Sequence, residues 1–261
     1  MMGWEYAVAA CSVQGRRERL EDTYYFNSEK GLFIIADGVC RSESGAEASK
    51  LAVDTAAQTV ERVQLSTDPL GLERTLQHTI TVTQAAVRAR FGDGLKGSTT
   101  LTLLLATNLY FVYCSVGDSR LYGVKAPRSG TSSWPKESVL TSLLFHQLTN
   151  DTNSFIGSEE AIPDSGVYPL AAKDCGFLLC TDGLYNHLQK QEWSEATQKL
   201  EPVQLGEYFG RGMWRNDSHR VSLSYQYPPQ QQMEILKQQC QDAYDNVTAI
   251  YALFCHRQIS L

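Results

Sequence analysis

The chain has 261 residues, of which 43% are hydrophobic, and this fraction favours a folded protein with a sizeable core over a disordered one. A net charge of −6 disfavours a protein that binds nucleic-acid backbones, since such proteins carry a positive surface. No apolar run approaches the roughly 18 residues of a membrane-spanning helix. We therefore expect a single domain over residues 1–261, cytoplasmic and monomeric, without a membrane span or a nucleic-acid partner.

Short segments rich in β-branched and aromatic residues predict strands along most of the chain. The predicted strands are 6–13, 23–27, 32–36, 99–106, 109–116, 120–124, 177–181 and 247–254. Residues 28–31, with a glycine suited to positive φ at Gly31, predict one hairpin, and Thr107-Asn108 predicts another.

Two long helices are predicted between these hairpins. The first begins near Ser44, which forms a capping box with Glu47. The second begins after Asp68 as its cap, has Pro69 in its first turn, and ends at Gly92. A shorter helix is predicted over 233–240, inside an extended segment, 201–244. This order of elements predicts an α+β fold in which antiparallel sheets pack together with helices outside.

Acidic residues recur at the ends of the predicted strands. Some directly follow a strand beside a glycine and others directly precede a strand. They are Glu21, Asp22, Asp37, Asp118, Asp182 and Asp245. Seven cysteines without a C-x-x-C pair suggest neither a disulfide framework nor a zinc site, so carboxylates are the candidate ligands.

Hairpin geometry turns part of this pattern into a spatial prediction. A loop centred near residues 29–30 places residues whose numbers sum to about 59 or 60 opposite each other, so Asp22 should face Asp37 or Gly38. If the other acids reach that sheet edge, their repulsion requires a counter-charge, and Mg²⁺ or Mn²⁺ suits oxygen ligands. Asp-Gly is also a common turn dipeptide, so the residues alone leave a metal site and ordinary hairpin corners both open.

Seven short motifs, taken in order, resemble those of the metal-dependent protein phosphatases called protein phosphatase 2C. They fall at 15–22, 35–38 with 45–49, 97–100, 116–122, 148–151, 179–184 and 245–248. Each motif is weak alone, but their shared order is specific. The resemblance implies an α-β-β-α sandwich of two antiparallel sheets flanked by helices, with two Mn²⁺ or Mg²⁺ ions at one end.

The resemblance also implies the ligands of those ions. Asp37 would bridge both ions, and Asp182 and Asp245 would complete the protein ligands of one. Glu21, directly or through water, and the carbonyl of Gly38 would serve the other.

Three further residues receive roles by the same resemblance. Asp22 would support the metal ligands, Asp118 would help Asp182 to hold a third, weaker ion, and Arg17 would grip the substrate phosphate. Asp118 as a turn cap and Arg17 as an ordinary surface arginine are the alternatives. Asn246 is expected to fix a turn rather than to catalyse.

The implied activity is hydrolysis of phosphoserine and phosphothreonine by a metal-activated water, with Arg17 and Asp37 as catalytic residues, reversing a serine/threonine kinase in signalling. Val39 stands where some family members have a histidine, so water would protonate the leaving group. Residues 149–157 form a short flap compared with many relatives. The alternatives are a catalytically inactive module that binds a phosphoprotein and a metal-dependent phosphodiesterase or small-molecule phosphatase.

Overall fold

The computed structural model describes residues 6–39, 44–92, 96–125, 144–171, 174–187 and 229–254. Its helices are α1 (Ser44–Glu61), α2 (Pro69–Phe91) and α3 (Pro229–Gln239). Its strands are β1 (Tyr6–Val13), β2 (Asp22–Asn27), β3 (Leu32–Val39), β4 (Ser98–Thr99), β5 (Leu101–Ala106), β6 (Tyr110–Val116), β7 (Arg120–Lys125), β8 (Leu144–Gln147), β9 (Asp164–Pro169), β10 (Asp174–Cys180) and β11 (Val247–Phe254).

The described strands form two antiparallel sheets. One sheet has the order β1-β11-β10-β7-β8, and the other has the order β2-β3-β5-β6-β9 with β4 paired to β3. Chain neighbours pair as hairpins in β2-β3 and β5-β6, because each is joined by a short turn. In the first of these turns Gly31 has a φ of 65°, a left-handed conformation that glycine adopts without steric cost.

Three hydrophobic layers hold the sandwich together. Between the sheets, Phe33 and Phe177 pack edge to face with their ring centroids 4.6 Å apart, and both side chains are fully buried. Helices α1 and α2 cover the outer face of the β2-β3-β5-β6-β9 sheet, and α3 covers β1 and β11 of the other. This arrangement confirms the predicted α-β-β-α sandwich.

The helix boundaries agree with the capping signals. Helix α1 begins at Ser44, and α2 is capped by Asp68, whose carboxylate accepts a 2.9 Å hydrogen bond from the Gly71 N–H. Helix α3 begins at Pro229, about a turn before the predicted start, because proline is well suited to the first turn of a helix.

Two short strands, β8 and β9, were not predicted from the sequence. Most side chains of β9 are half-buried rather than alternating between core and solvent, so the segment lacks the period-two signal of a strand. Part of the predicted extended segment, 201–228, lies outside the described residues. Across the part of the chain that the structure describes, no helix combines the length and the apolar character that crossing a membrane requires.

Candidate functional site

The acidic residues predicted as ligands gather at one end of the sandwich. Asp22, at the start of β2, pairs directly with Asp37 on β3, as the hairpin register predicted. Asp182 follows β10 and Asp245 precedes β11, so these two acids come from the other sheet. The sequence left open whether the other acids reach the edge that carries Asp22 and Asp37. The ends of both sheets contribute, because the sandwich stacks β2 and β3 against β11.

Asp22 is the most deeply buried of these acids, with 6% of its surface exposed. Its Oδ2 accepts a 2.8 Å hydrogen bond from the Thr181 hydroxyl, which ties the two sheets together, while its buried Oδ1 has no hydrogen-bond partner. Burial raises the pKa of Asp22 to about 7, against the opposing effect of hydrogen bonds from Thr181 and Thr248. An unsatisfied buried carboxylate oxygen is costly, and a nearby cation would offset that cost.

Hydrogen bonds to both the N–H and the carbonyl of Asp37 hold its backbone in place. Its N–H donates to the Thr100 hydroxyl over 2.8 Å, and its carbonyl accepts from the Thr99 hydroxyl over 2.7 Å. Burial, followed by the negative charges of Asp22 and Asp182, raises the pKa of the Asp37 carboxyl well above its usual value. The two threonines are buried and fix the position of Asp37.

Asp182 begins a short helical segment, 182–187. Its Oδ2 accepts a 2.9 Å hydrogen bond from Asn186, one turn later. Burial, then the charges of Asp118 and Asp245, raises the pKa of Asp182 to about 6. The next residue must be glycine, because a Cβ on Gly183 would lie 1.8 Å from the carbonyl oxygen of residue 246.

Glu21 and the carbonyl of Gly38 face the same small space beside α1. A Cβ on Gly45 would lie 2.8 Å from Glu21 Oε1 and 3.2 Å from the Gly38 carbonyl oxygen. The glycine in the first turn of α1 therefore leaves room between these two oxygens that any side chain would fill. Burial raises the pKa of Glu21, with Arg17 opposing the shift.

Asp245 is paired with Arg17 across the mouth of the site. Arg17 Nε donates to Asp245 Oδ1 over 2.7 Å, and its terminal Nη2 donates to Oδ2, so the contact uses both carboxylate oxygens. This pairing raises the pKa of Arg17, against the effect of burial and with smaller contributions from Asp37 and Glu21. The guanidinium thus lies among the predicted ligands, where the sequence expected it.

Asn246 joins two loops that carry site residues. Its Oδ1 accepts from the Glu21 N–H over 2.8 Å, while its Nδ2 donates to the carbonyls of Gln14 and Arg19 over 2.8 and 2.9 Å. It is 4% exposed. These bonds place Glu21 next to Asp245, which agrees with the expected structural role of Asn246.

A second group of side chains, which the sequence analysis did not single out, supports Asp118. Tyr185 donates its hydroxyl to the Asp118 carbonyl over 3.1 Å, and the Arg120 guanidinium lies 3.8 Å from the centre of the Tyr185 ring. Arg120 also forms a bidentate pair with Asp151, at 3.0 and 2.6 Å. Burial is the main cause of the raised pKa of Asp118. The signal for this group was present in the motif at 148–151, which contains Asp151 but was assigned no role.

The donor set suits a hard divalent cation. It consists of oxygens only, the buried carboxylates repel one another, Asp22 Oδ1 is orphaned, and Gly45 leaves space between two further oxygens. Within the described ranges, no three acidic, histidine or cysteine side chains already surround one point as a preformed metal site would. Arg17 engages both carboxylate oxygens of Asp245.

Comparison with known proteins identifies the family. The family described as protein phosphatase 2C matches residues 13–209, which is more than half of the chain. No curated protein sequence matches the chain significantly.

Solved structures show the same fold at low sequence identity. PppA, described as a key regulatory component of T6SS in Pseudomonas aeruginosa, is 21% identical with a TM-score of 0.62, covering 95% of this chain and 97% of its own. Stp1, a serine/threonine phosphatase from Staphylococcus aureus, is 18% identical with a TM-score of 0.65, covering 97% of each chain.

A third similar structure contains metal. The catalytic domain of the serine/threonine protein phosphatase PstP, in complex with two manganese ions, is 21% identical with a TM-score of 0.57, and the match covers 95% of this chain and 97% of that domain. Another similar structure, the serine/threonine phosphatase PstP/Ppp of Mycobacterium tuberculosis, is 21% identical with a TM-score of 0.58, covering 96% of this chain and 99% of its own. The family match, the sandwich fold and the ordered motifs agree, and the chain belongs to the protein phosphatase 2C family.

Proposed function

We propose that the chain is an active, metal-dependent phosphatase that removes phosphate from phosphoserine and phosphothreonine in proteins. The observation that carries this proposal is the group of mutually repelling, partly or fully buried carboxylates Asp22, Asp37 and Asp182 at one end of a phosphatase fold. A protein that only bound a partner would gain nothing from so costly a group, since buried like charges destabilise the fold unless a cation offsets them.

The proposed ligands are divided between two cations, Mn²⁺ or Mg²⁺. Asp37 would be shared, Asp182 and Asp245 would hold one cation, and Glu21 and the Gly38 carbonyl would hold the other. The space beside Gly45 supports the assignment of the last two. The manganese ions of PstP, a protein of the same fold, are consistent with this metal choice.

The supporting residues follow from their contacts. Asp22 lies directly opposite Asp37 and is proposed to hold the shared ligand in place through charge and hydrogen bonding. Asp118 is proposed to hold a third, weaker cation together with Asp182, because the charge of Asp118 lies near enough to raise the pKa of Asp182.

When bound, the cations supply Lewis acidity, which lowers the pKa of water and provides a nucleophile for phosphorus. Arg17 donates hydrogen bonds to the phosphoryl oxygens and offsets the charge that develops on them. Val39 has no titratable group, so solvent water protonates the departing serine or threonine oxygen. Within the described residues Cys11, Cys114, Cys180 and Cys240 are buried, and burial raises the pKa of each thiol, so none of these four is suited to form a phosphoenzyme.

The proposed substrate is a phosphoprotein modified by a serine/threonine kinase, and the proposed location is the cytoplasm. PppA, which shares the fold, is described as a regulator of T6SS. Regulation of a secretion or cell-envelope system is therefore a reasonable setting in which to search for the substrate. The chain is proposed to act as a monomer.

The decisive experiment measures phosphate release from a phosphothreonine peptide while Mn²⁺ or Mg²⁺ is titrated into metal-free protein. We expect activity only with added metal, and we expect Asp37→Asn and Asp182→Asn to reduce it by at least about 100-fold, since each removes a charged ligand. Asp54→Asn is the matched control, because Asp54 lies exposed on α1 and pairs with Lys50 at 2.9 Å.

The same assay separates the alternatives. Preferred release of phosphate from nucleotides, or cleavage of a phosphodiester, would assign the site to small-molecule substrates. Binding of the phosphopeptide with no turnover at any metal concentration would identify an inactive module. Equal activity of the wild type, Asp37→Asn and Asp182→Asn would refute the metal assignment.

A further inference from the structure

Arg17 pairs with a residue that is also a proposed metal ligand. It holds both oxygens of Asp245, and its side chain remains 50% exposed while that of Asp245 is 31% exposed. Asp245 is a proposed metal ligand, and Arg17 is the proposed phosphate-binding residue. One contact therefore engages a metal ligand and a substrate-binding group at the same time.

The backbone around Arg17 is fixed, so only its side chain is free to change partner. The Arg16 N–H donates to the Ala243 carbonyl over 2.8 Å, and Gln14 Nε2 donates to the Arg17 carbonyl over 2.8 Å. Asn246 holds the loop at both ends through Gln14 and Arg19. A rotation of the Arg17 side chain, without loop movement, is sufficient to release Asp245.

Electrostatic repulsion disfavours binding of Arg17 and a divalent cation to Asp245 at the same time. A divalent cation bound to Asp245 would lie beside the guanidinium, and two positive groups at that distance repel each other. A guanidinium engaging both oxygens also occupies the in-plane directions from which a carboxylate binds a cation. Turned away from Asp245, the guanidinium remains close to Asp37 and Glu21, whose charges already act on it.

We infer that Arg17 and a divalent cation compete for Asp245, so that cation binding releases Arg17 to receive the substrate phosphate. The inference rests on the proposed function, because it assumes that Asp245 is a metal ligand. It also implies an order of binding events. Until the cation binds, Arg17 stays paired with Asp245 and is not available to the substrate phosphate.

The test measures Mn²⁺ affinity by isothermal titration calorimetry, without substrate and without reference to activity. Arg17→Ala is expected to bind Mn²⁺ about 3- to 10-fold more tightly than the wild type, the range for loss of a partly exposed ion pair. Arg17→Lys keeps the charge but loses the bidentate contact, and it is expected to bind about threefold more tightly.

Arg16→Ala is the matched control, because Arg16 is a neighbouring exposed arginine whose 3.8 Å ion pair is with Asp242. Its Mn²⁺ affinity should stay within about twofold of the wild-type value, since the remaining effect of one exposed charge is screened by solvent. Thermal unfolding of each variant checks that it is folded, and the exposure of Arg17 makes loss of folding unexpected.

Each outcome separates the inference from the function on which it rests. Tighter binding by both Arg17 variants and not by Arg16→Ala supports competition. Equal or weaker binding by Arg17→Ala, or equal tightening by Arg16→Ala, overturns the competition while leaving the phosphatase proposal intact. Absence of Mn²⁺ binding by the wild type overturns both.

Discussion

Replacing Asn246 tests how the two loops of the site are held together. The Asn246→Ala variant loses three hydrogen bonds, leaving the Glu21 N–H and the carbonyls of Gln14 and Arg19 without this partner. At about 1 kcal/mol for each bond, the expected loss of unfolding free energy is about 2–4 kcal/mol. At about 2–4 °C per kcal/mol for a chain of this size, the melting temperature should fall by roughly 4–16 °C.

Asn246→Asp is a nearly isosteric second variant. Its carboxylate still accepts from the Glu21 N–H, but an oxygen replaces the amide nitrogen that faces two carbonyls. We therefore expect a loss at least as large as that of Asn246→Ala at pH 8, since a buried charge is added to two lost hydrogen bonds.

The assay is urea unfolding in the presence of a chelator, followed by circular dichroism. Asn150→Ala is the control, because Asn150 is exposed and its Nδ2 donates one 3.2 Å hydrogen bond to Asp164. The control should lose no more than about 0.5 kcal/mol. An Asn246→Ala protein within about 0.5 kcal/mol of the wild type would refute the assigned role.

Three further predictions concern the stability of the metal-free protein. Burial raises the pKa of Asp22 from 3.8 to about 7, so the folded state binds more protons than the unfolded state over this range and loses stability as pH rises. Asp22 alone should make the unfolding free energy, measured in urea, about 2–3 kcal/mol smaller at pH 8 than at pH 5. Asp37 and Asp182 add to this loss in the same direction, so Asp22→Asn should reduce the slope by the Asp22 contribution; an unchanged slope would contradict the prediction. Gly183→Ala places a Cβ 1.8 Å from the carbonyl oxygen of residue 246, and thermal unfolding should show a loss above about 3 kcal/mol or no folded protein. Tyr185→Phe removes the hydrogen bond to Asp118 but keeps the ring beside Arg120, so its melting temperature should fall by less than that of Tyr185→Ala; equal losses would show that the ring contact contributes nothing.

Local signals in the sequence were sufficient for both long helices, for most of the strands and for one pair of site residues. The turn at 28–31 determined the β2-β3 register, so the pairing of Asp22 with Asp37 followed from loop length alone. Asp68 and Gly92 marked the ends of α2, because capping is a property of neighbouring residues. The order of the motifs predicted the family and the sandwich, and both are confirmed.

The sequence could not show how the two sheets meet, because those contacts join residues far apart in the chain. Thr181 bonds Asp22 from 159 positions away, and Arg17 bonds Asp245 from 228 positions away. No turn or periodicity encodes such a pairing; it arises only when packing of the two sheets buries Phe33 against Phe177 and brings their ends together.

The candidate acids could therefore be predicted from their positions at strand ends, whereas the tertiary structure determined which residues contact them. Asn186 beside Asp182, and Tyr185 beside Asp118, lie on a short helical segment whose orientation depends on the sheet that precedes it. Likewise, the family resemblance implied that Arg17 binds an anion, but only the folded chain determined that Arg17 pairs with the carboxylate of Asp245. The charge of each side chain is known from the sequence, but the fold sets the distances between charges and therefore the strength of their interactions.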